Sequence, residues 1–278
     1  MNEFKGRTAV ITGAASGIGF AIAEQCAREG MNVVLADVEE PALSGAEKAL
    51  KAAGAATCAV RTDVSKAAEV EALAKRALEA FGSVDLLVNN AGVGTGGSIW
   101  DSSLEDWEWV IGVNLWGVIH GVRTFVPLML AQDTDCHIVN TASVAGLVPF
   151  HPGAPYHATK HAVVALSENL NRSLAERKAK VKASVLCPGW VNTQIMDSGR
   201  NRPAELRNKT GEAPPSAERQ ALWQAGRDAI AAGMPSPQVA EHVFRAIREE
   251  RLYILTHPDW NEAIQQRAAN IVQQRNPA

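Results

Sequence analysis

Tyr156 and Lys160 are the residues whose types and spacing most directly suggest chemistry in this sequence. Tyr156 is one of two tyrosines in the chain, and Lys160 follows it four positions later in the stretch GAPYHATKHAVVAL. Apolar residues recur in this stretch with the period of a helix, so the phenol and the ammonium group should share one helix face. A neighbouring positive charge lowers the pKa of a phenol. The spacing therefore predicts a proton-transferring tyrosine, although a tyrosine beside a solvated lysine would show the same pattern.

A glycine-rich turn near the N-terminus predicts a dinucleotide site. Gly13, Gly17 and Gly19 lie in AVITGAASGIGFAIAEQC, which has the pattern of a strand, a tight turn and a helix. Glycines allow a close approach of the backbone to a ligand, and the amides at the start of the helix can hold a pyrophosphate. Ser16 and Ile18 belong to the same turn.

Asp37 indicates which dinucleotide this turn would bind. It ends the next strand-like run, NVVLAD, where a carboxylate can accept hydrogen bonds from the adenosine ribose and would repel a 2′-phosphate. No arginine or lysine follows it closely, and Ser16 occupies a loop position where a cation could have met a phosphate. Asp37 could instead cap the following helix. We predict NAD as the cofactor in preference to NADP.

The elements that must position these residues alternate along the chain. Short β-branched runs are separated by longer periodic segments rich in Ala, Leu, Glu and Lys, which is the pattern of βαβ units and a parallel sheet. Several runs are apolar almost throughout, as expected of strands that are covered on both faces. The predicted strands are residues 7–12, 32–37, 56–61, 84–89, 136–141, 182–187 and 252–255.

Capping residues mark three of the predicted helix starts. Ser65 precedes the periodic segment KAAEVEALAKRALEA. Ser102 and Glu105 have the spacing of a capping box. Ser236 offers an N-cap before Pro237, a residue suited to the first helical position.

Residues 190–235 interrupt the alternation, because they are rich in proline, glycine and charge and too long for an ordinary connection. Pro203, Pro214 and Pro215 disfavour a continuous helix there, and we predict a mobile lid that excludes water from the site. Its cations would suit an anionic substrate or form a solvated basic face, whereas its apolar residues predict a mainly hydrophobic pocket, the preferred reading. Between residues 200 and 209 the cations are Arg200, Arg202, Arg207 and Lys209, against Glu205 alone, and the apolar residues of the segment are Trp190, Ile195, Met196 and Trp223.

Composition limits the classes of function. The chain of 278 residues has 46% hydrophobic and 21% charged residues, which are ordinary values for a globular protein. Its net charge of −3 lacks the basic excess that nucleic-acid binding requires. We find no signal peptide and no run of the roughly 18 apolar residues that a membrane-spanning helix needs. The cysteines predict buried free thiols and a reducing cytoplasm, and they are Cys26, Cys58, Cys136 and Cys187.

Taken together, the motifs resemble those of the short-chain dehydrogenase/reductase family. The resemblance covers about Lys5 to Thr193 and includes TGAASGIG, DV, NNAG, VNLWG, NTAS, YHATK and PGWVNT in the family's order and spacing. It implies a single α/β domain over residues 1–278, with a Rossmann-type, doubly wound, mostly parallel sheet of seven strands. It also implies hydride transfer between NAD(H) and a secondary alcohol or ketone, in a soluble homotetramer or, failing that, a dimer.

The resemblance assigns a role to each matching position. Tyr156 would be the general acid/base, and Lys160 would lower the pKa of its phenol and hold the nicotinamide ribose. Ser143 would bind the substrate oxygen, and Asn114 would join this centre through water. Adenine would meet Asp63 and Val64. The full set of cofactor-binding residues would be Gly13, Ser16, Gly17, Ile18, Gly19, Asp37, Asp63, Val64, Asn90, Ala91, Gly92, Tyr156, Lys160, Pro188, Gly189, Val191 and Thr193.

Other readings of these residues are weaker. Ser143 could be a hydrolase nucleophile, but it lies outside a GxSxG motif. His157 and His161 have a spacing that can bind a metal, but no third ligand is evident, and we predict no metal site. An NADP-dependent carbonyl reductase and a regulator that senses NAD without turnover are the remaining alternatives.

Substrate specificity is expected from residues 94–97, residues 144–151 and the segment after Trp190. Among the tryptophans, Trp190 and Trp223 flank the predicted lid and are the pocket candidates. Core or subunit packing is predicted for Trp107, Trp109 and Trp116.

Overall fold

A computed structural model describes residues 1–150, 153–208 and 217–277, the last range without the side chains of 217–219. Its strands form one seven-stranded sheet in the order β3-β2-β1-β4-β5-β6-β7, and all neighbouring strands are parallel. The predicted Rossmann-type α/β fold is confirmed. The strands are β1 (Thr8–Thr12), β2 (Asn32–Asp37), β3 (Thr57–Arg61), β4 (Leu86–Asn89), β5 (Cys136–Thr141), β6 (Val181–Cys187) and β7 (Tyr253–Leu255).

Helices cover both faces of the sheet. On one face α1 packs against α8, and on the other α3 packs against α5. A π-helix, Gly112–Trp116, joins α4 to α5. The helices are α1 (Gly17–Arg28), α2 (Glu40–Ala52), α3 (Ala67–Phe81), α4 (Leu104–Ile111), α5 (Gly117–Gln132), α6 (Ala154–Glu176), α7 (Ala217–Ala231), α8 (Ser236–Arg248) and α9 (Asn261–Val272).

Strand side chains alternate between two hydrophobic clusters, which explains the apolar runs in the sequence. In β1, Ala9 and Ile11 lie in the cluster that contains α1 and α8, whereas Val10 lies in the cluster that contains α3 and α5. Both clusters are buried, so neither face of the strand can be polar. The predicted bounds of β2 and β5 match the observed ones, and the other strands differ by one or two residues at an end.

The predicted capping box of α4 is wrong by one residue. Ser103 and Asp106 form it in place of Ser102 and Glu105. The Ser103 hydroxyl oxygen accepts the Asp106 N–H at 3.0 Å, and the Asp106 carboxylate accepts the Ser103 N–H at 3.0 Å. Asp106 is buried, and its other carboxylate oxygen accepts a hydrogen bond from Arg202 at 2.6 Å, so a residue distant in the sequence helps to hold the box in this register.

The other two predicted helix starts are also displaced. Ser65 donates its hydroxyl to Asp63 at 2.7 Å, and Lys66 is the residue that precedes α3. Ser236 is the first residue of α8, which places Pro237 at the second helical position. A local polar partner for Ser65 therefore replaces its predicted role as a cap.

The helical segment Leu104–Gln132 is both long and apolar. By length and composition alone it could cross a bilayer, although core helices of soluble proteins pass the same test. Val118, Phe125 and Met129 are buried in the hydrophobic clusters beside the sheet. This packing accounts for the apolar side chains at these three positions.

Residues 190–235 contain more regular structure than predicted. Two 3-10 helices, Ile195–Asn201 and Ala204–Leu206, precede helix α7. Pro203 lies just before the second 3-10 helix, a position where its fixed φ fits and a missing N–H does no harm. Lys209, Pro214 and Pro215 fall outside the described residues, as does His151 at the end of a predicted specificity segment.

Candidate active site

A cavity of about 650 Å³ lies at the carboxyl ends of the strands. The strand order reverses between β1 and β4, and such a switch point is where open α/β sheets bind ligands. Of the predicted site residues, all but Gly19 and Asn114 line this cavity. Both exceptions are buried behind its wall.

The glycine turn forms part of the floor of the cavity and needs its glycines. Gly13 and Gly17 have φ values of +64° and +55°, which other residues rarely adopt. A Cβ atom on Gly19 would lie 2.1 Å from the carbonyl oxygen of Gly13. Ser16 precedes α1 without a side-chain capping bond, so the amides at the start of the helix can meet an anionic ligand.

Asn90 and Thr12 hold this turn against the sheet. The Asn90 amide donates to the carbonyls of Thr12, at 3.1 Å, and Gly13, at 3.3 Å. The Thr12 hydroxyl oxygen accepts the backbone N–H groups of Asn90, at 2.9 Å, and Ala91, at 3.1 Å. The sequence analysis did not predict a role for Thr12. Its position directly before Gly13, the first glycine of the turn, is the signal that could have identified it.

Asp37 connects the end of β2 to the glycine turn. Its carboxylate accepts the Ala15 N–H at 3.0 Å through one oxygen and the Glu39 N–H at 3.1 Å through the other. The residue that precedes α2 is Glu39, so Asp37 is not the cap of this helix. The carboxylate lines the cavity and retains lone pairs that could accept ribose hydroxyls.

The predicted reaction centre lies together at one end of the cavity. Ser143 follows β5, and its hydroxyl donates to the Pro188 carbonyl at 3.4 Å and accepts the Ala145 N–H at 3.1 Å. Lys160 is buried, and its Nζ donates to the Thr141 carbonyl at 2.8 Å.

The electrostatics of Tyr156 differ from the prediction. Lys160 Nζ lies 5.5 Å from the centroid of the Tyr156 ring. Burial raises the pKa of the Tyr156 phenol, and a hydrogen bond with Ser143 opposes this rise. Burial also lowers the pKa of Lys160 to about 8. In the chain by itself, desolvation therefore affects the pKa of the phenol more than Lys160 does. The predicted lowering of this pKa also depended on the positive charge of oxidised nicotinamide, which belongs to the cofactor and not to the chain.

Asn114 lies in the π-helix and is fully buried. Its side-chain oxygen accepts the Val93 N–H at 2.8 Å, and its amide donates to the Val93 carbonyl at 2.9 Å. The π-helix therefore directs the Asn114 side chain towards the loop after β4. Short π-helical turns of this kind are frequent at functional sites. The predicted role of Asn114 in a water relay stays a prediction.

His257, after β7, is a further site residue that the sequence did not reveal. Its Nδ1 accepts the Gly189 N–H at 3.1 Å, and its Nε2 donates to the Trp190 carbonyl at 2.9 Å. A Cβ atom on Gly189 would lie 2.8 Å from this imidazole ring. His257 thus holds the PGW segment from a distant part of the chain, and no local motif marks it.

The far end of the cavity is lined by large apolar side chains. Trp190 and Trp223, the two predicted pocket residues, are there with Phe150 and Leu222, and these four side chains are 36% to 41% exposed. Trp223 lies against Gly96, where an added Cβ would be 3.3 Å from the indole ring. Ile195 and Met196 extend the same wall.

Two of the predicted basic residues of the lid segment have carboxylate partners in the structure. Arg200 forms an ion pair with Glu39, and Arg202 forms one with Asp106, each at 2.6 Å. Arg207 is exposed. Arg200 and Arg202 are therefore not free cations, whereas the exposure of Arg207 matches the predicted solvated basic face.

The paired histidines of α6 have roles within the fold. His157 is bonded through Nδ1 to the Gly153 carbonyl at 2.8 Å, and its Nε2 accepts the Phe150 N–H at 3.3 Å. His161 is bonded to the His157 carbonyl at 2.9 Å. Across residues 1–150, 153–208 and 217–277, no group of three or more His, Cys, Asp or Glu side chains could hold a metal ion. The same ranges leave all four cysteines free, as predicted, with Cys58 only partly buried.

Comparison with known proteins agrees with this geometry. Residues 7–204 match the family model for short chain dehydrogenase. A CLA biosynthesis dehydrogenase/reductase from Lactiplantibacillus plantarum is 38% identical over 273 residues, which cover 98% of this chain and 95% of the relative. A C alpha-dehydrogenase from Sphingobium is 32% identical over 98% of this chain and 87% of its own length. The crystal structure of a short chain dehydrogenase/reductase from Burkholderia phymatum in complex with NAD superposes with a TM-score of 0.96, at 51% identity over 100% of this chain and 98% of that one.

Proposed function

We propose that this chain, an oxidoreductase that belongs to the short-chain dehydrogenase family, interconverts a neutral, bulky, apolar secondary alcohol and its ketone with NAD as cofactor. The observation that carries the proposal is that Ser143, Tyr156 and Lys160 border the same cavity as the aromatic wall of Trp190 and Trp223. The NAD complex of the Burkholderia phymatum protein supports the choice of cofactor.

The residues around the glycine turn fit a dinucleotide. The turn has no room for side chains at Gly13 and Gly19, so a ligand can approach its backbone closely. Asp37 would accept hydrogen bonds from the ribose, and the start of α1 would face the pyrophosphate. When bound, NAD supplies the acceptor or donor of the hydride.

The chain's own residues would handle the substrate oxygen and its proton. Ser143 would donate a hydrogen bond to this oxygen and keep it beside the Tyr156 phenol. Tyr156 would take the proton in oxidation and return it in reduction. A charged Lys160 would favour the phenolate once the site is closed to water, because charges interact more strongly in a desolvated site.

The aromatic wall supports a bulky apolar substrate. Phe150 lies 6.2 Å from Trp190 and 5.7 Å from Trp260 between ring centroids. Arg200 and Arg202 at the lid are already paired with carboxylates of the protein. Neither of these two arginines is therefore free to bind a carboxylate of the substrate. We infer that residues 190–235 form the substrate lid of a single domain.

A cofactor-reduction screen tests the proposal. Neutral aromatic secondary alcohols should give NADH, with a kcat/KM at least about tenfold above that of propan-2-ol or of the matching aromatic hydroxy acids. Trp223→Ala should raise the KM of the bulky substrates about tenfold and leave the Kd of NAD unchanged, because the indole is proposed to contact only the substrate.

The matched control is Trp100→Ala, which removes an exposed tryptophan outside the cavity lining and should leave both constants unchanged. A preference for small or anionic alcohols would contradict the substrate class alone. NAD binding without turnover of any alcohol would contradict the reaction and favour the NAD-sensing regulator, and a preference for NADP would favour the carbonyl reductase.

We further propose a homotetramer, or failing that a dimer, in the cytoplasm. Large apolar side chains are exposed at the start of α4, at Leu104, and on α9, at Ile271 and Val272, as expected of surfaces that meet other subunits. The free thiols suit a reducing compartment. Light scattering at micromolar concentration should show an oligomer, and a monomer would contradict the proposal. Cell fractionation tests the location.

A further inference from the structure

An ion pair joins the lid to the loop after β2 at the end of the cavity that holds Asp37. The Arg200 guanidinium donates to both oxygens of the Glu39 carboxylate, at 2.6 and 3.1 Å. The Asn201 amide donates to the same carboxylate at 2.7 Å. Asp37, Glu39, Arg200 and Asn201 all line the cavity.

The pair places a cation beside the carboxylate that would face the adenosine ribose. The Asp37 carboxylate accepts the backbone N–H of Glu39 at 3.1 Å, so both acids belong to one tight turn. Arg200, which contacts this turn, lies 161 positions after Glu39 in the sequence. The bonds from Arg200 hold the pKa of the Glu39 carboxyl below its usual range, which keeps this carboxylate charged at neutral pH.

We propose that Glu39 and Arg200 are a second determinant of cofactor choice, in which Glu39 neutralises an arginine that would otherwise attract the 2′-phosphate of NADP. Two carboxylates and one guanidinium leave this turn with a net negative charge, which disfavours a phosphate on the ribose. Removing the Glu39 charge alone would leave Arg200 to balance Asp37. The inference rests on the proposed use of NAD and is independent of the substrate.

Direct binding of NADH and NADPH tests the proposal without turnover. Glu39→Gln, Arg200→Gln and the double variant all abolish the ion pair. Any loosening of the lid should therefore be the same in the three variants, which differ in the net charge of the turn. Asp63 and Lys66 also line the cavity and are unchanged in all of them. Fluorescence titration at low ionic strength, where charges are least screened, would give both dissociation constants for each protein.

The expected ratio of Kd for NADPH to Kd for NADH falls about tenfold in Glu39→Gln and rises about tenfold in Arg200→Gln, while the double variant returns to the wild-type ratio. Arg227→Gln is the control, because it removes a lid cation that pairs with Asp197 outside the cavity lining and should not move the ratio. Equal shifts in all three variants, or no shift in any, would overturn the proposal. If the wild-type protein bound neither nucleotide, the proposed function itself would fail.

Discussion

Replacing Tyr156 by phenylalanine is expected to lower kcat about a thousandfold and to leave NAD affinity unchanged. The substitution removes only the phenolic oxygen, which is the group proposed to exchange a proton with the substrate. Tyr156 is partly buried on α6 and hydrogen-bonds with Ser143, and phenylalanine fits the same space, so the fold should be unaffected.

The chain contains its own control for this experiment. Tyr253, the other tyrosine, lies at the surface on β7 and donates its hydroxyl to Glu168 at 2.6 Å. Tyr253→Phe makes the same chemical change away from the cavity and should retain full activity. Steady-state rates and NAD titrations of both variants are the measurements. More than a tenth of wild-type activity in Tyr156→Phe would rule out the assignment of the general acid/base.

Replacing Lys160 by methionine is expected to abolish most turnover and weaken NAD binding, yet to stabilise the cofactor-free protein. Burial lowers the pKa of Lys160 to about 8 from its ordinary value of 10.5, so the folded chain holds this ammonium group at a cost. Removing the charge should raise the free energy of unfolding at pH 7 by on the order of 2 kcal/mol.

The gain in stability should depend on pH in a direction that follows from this pKa. Below about pH 8 both the folded and the unfolded chain carry the proton, and the full cost of the buried charge applies. Between about pH 8 and 10.5 the unfolded chain keeps a proton that the folded chain has released, so wild-type stability gains from this group as pH rises. The advantage of Lys160→Met should therefore shrink over this interval.

Urea unfolding of both proteins at pH 7 and pH 10 gives the comparison. Lys180→Met is the control, because Lys180 is half exposed in an ion pair with Asp133 and should change stability little. A Lys160→Met protein less stable than wild type at pH 7 would show that its hydrogen bond to Thr141 outweighs desolvation. Full activity in that variant would remove Lys160 from the proposed mechanism.

The fold was predictable because its signals are local. A strand buried on both faces must be largely apolar, and residues 9–11 of β1 and 33–36 of β2 are. The glycine turn is similarly local, since the positive φ angles at Gly13 and Gly17 restrict which residues can occupy it. Such constraints act between neighbours in the chain and can be seen without coordinates.

Features that depend on distant parts of the chain were not predictable. The capping box of α4 uses Asp106, which Arg202 contacts from 96 positions later in the chain, and the capping prediction was one residue off because that contact is not local. Arg200 meets Glu39 across 161 positions, so a search for cations near Asp37 in the sequence could not find it. The direction of the Tyr156 pKa follows from its burial, which depends on how α6 packs in three dimensions.

The bond between His257 and Gly189 has a consequence for synthesis on the ribosome. The glycine turn, Ser143 and Tyr156 are all translated before the PGW segment, and the residue that anchors this segment emerges almost 70 residues later still. A nascent chain that ends before His257 would possess its proton-transferring groups but would lack the support of Gly189 and Trp190. Because domains gain their long-range contacts as synthesis proceeds, competence to bind substrate should be acquired after the sheet has begun to form, which limits premature chemistry by unfinished polypeptides.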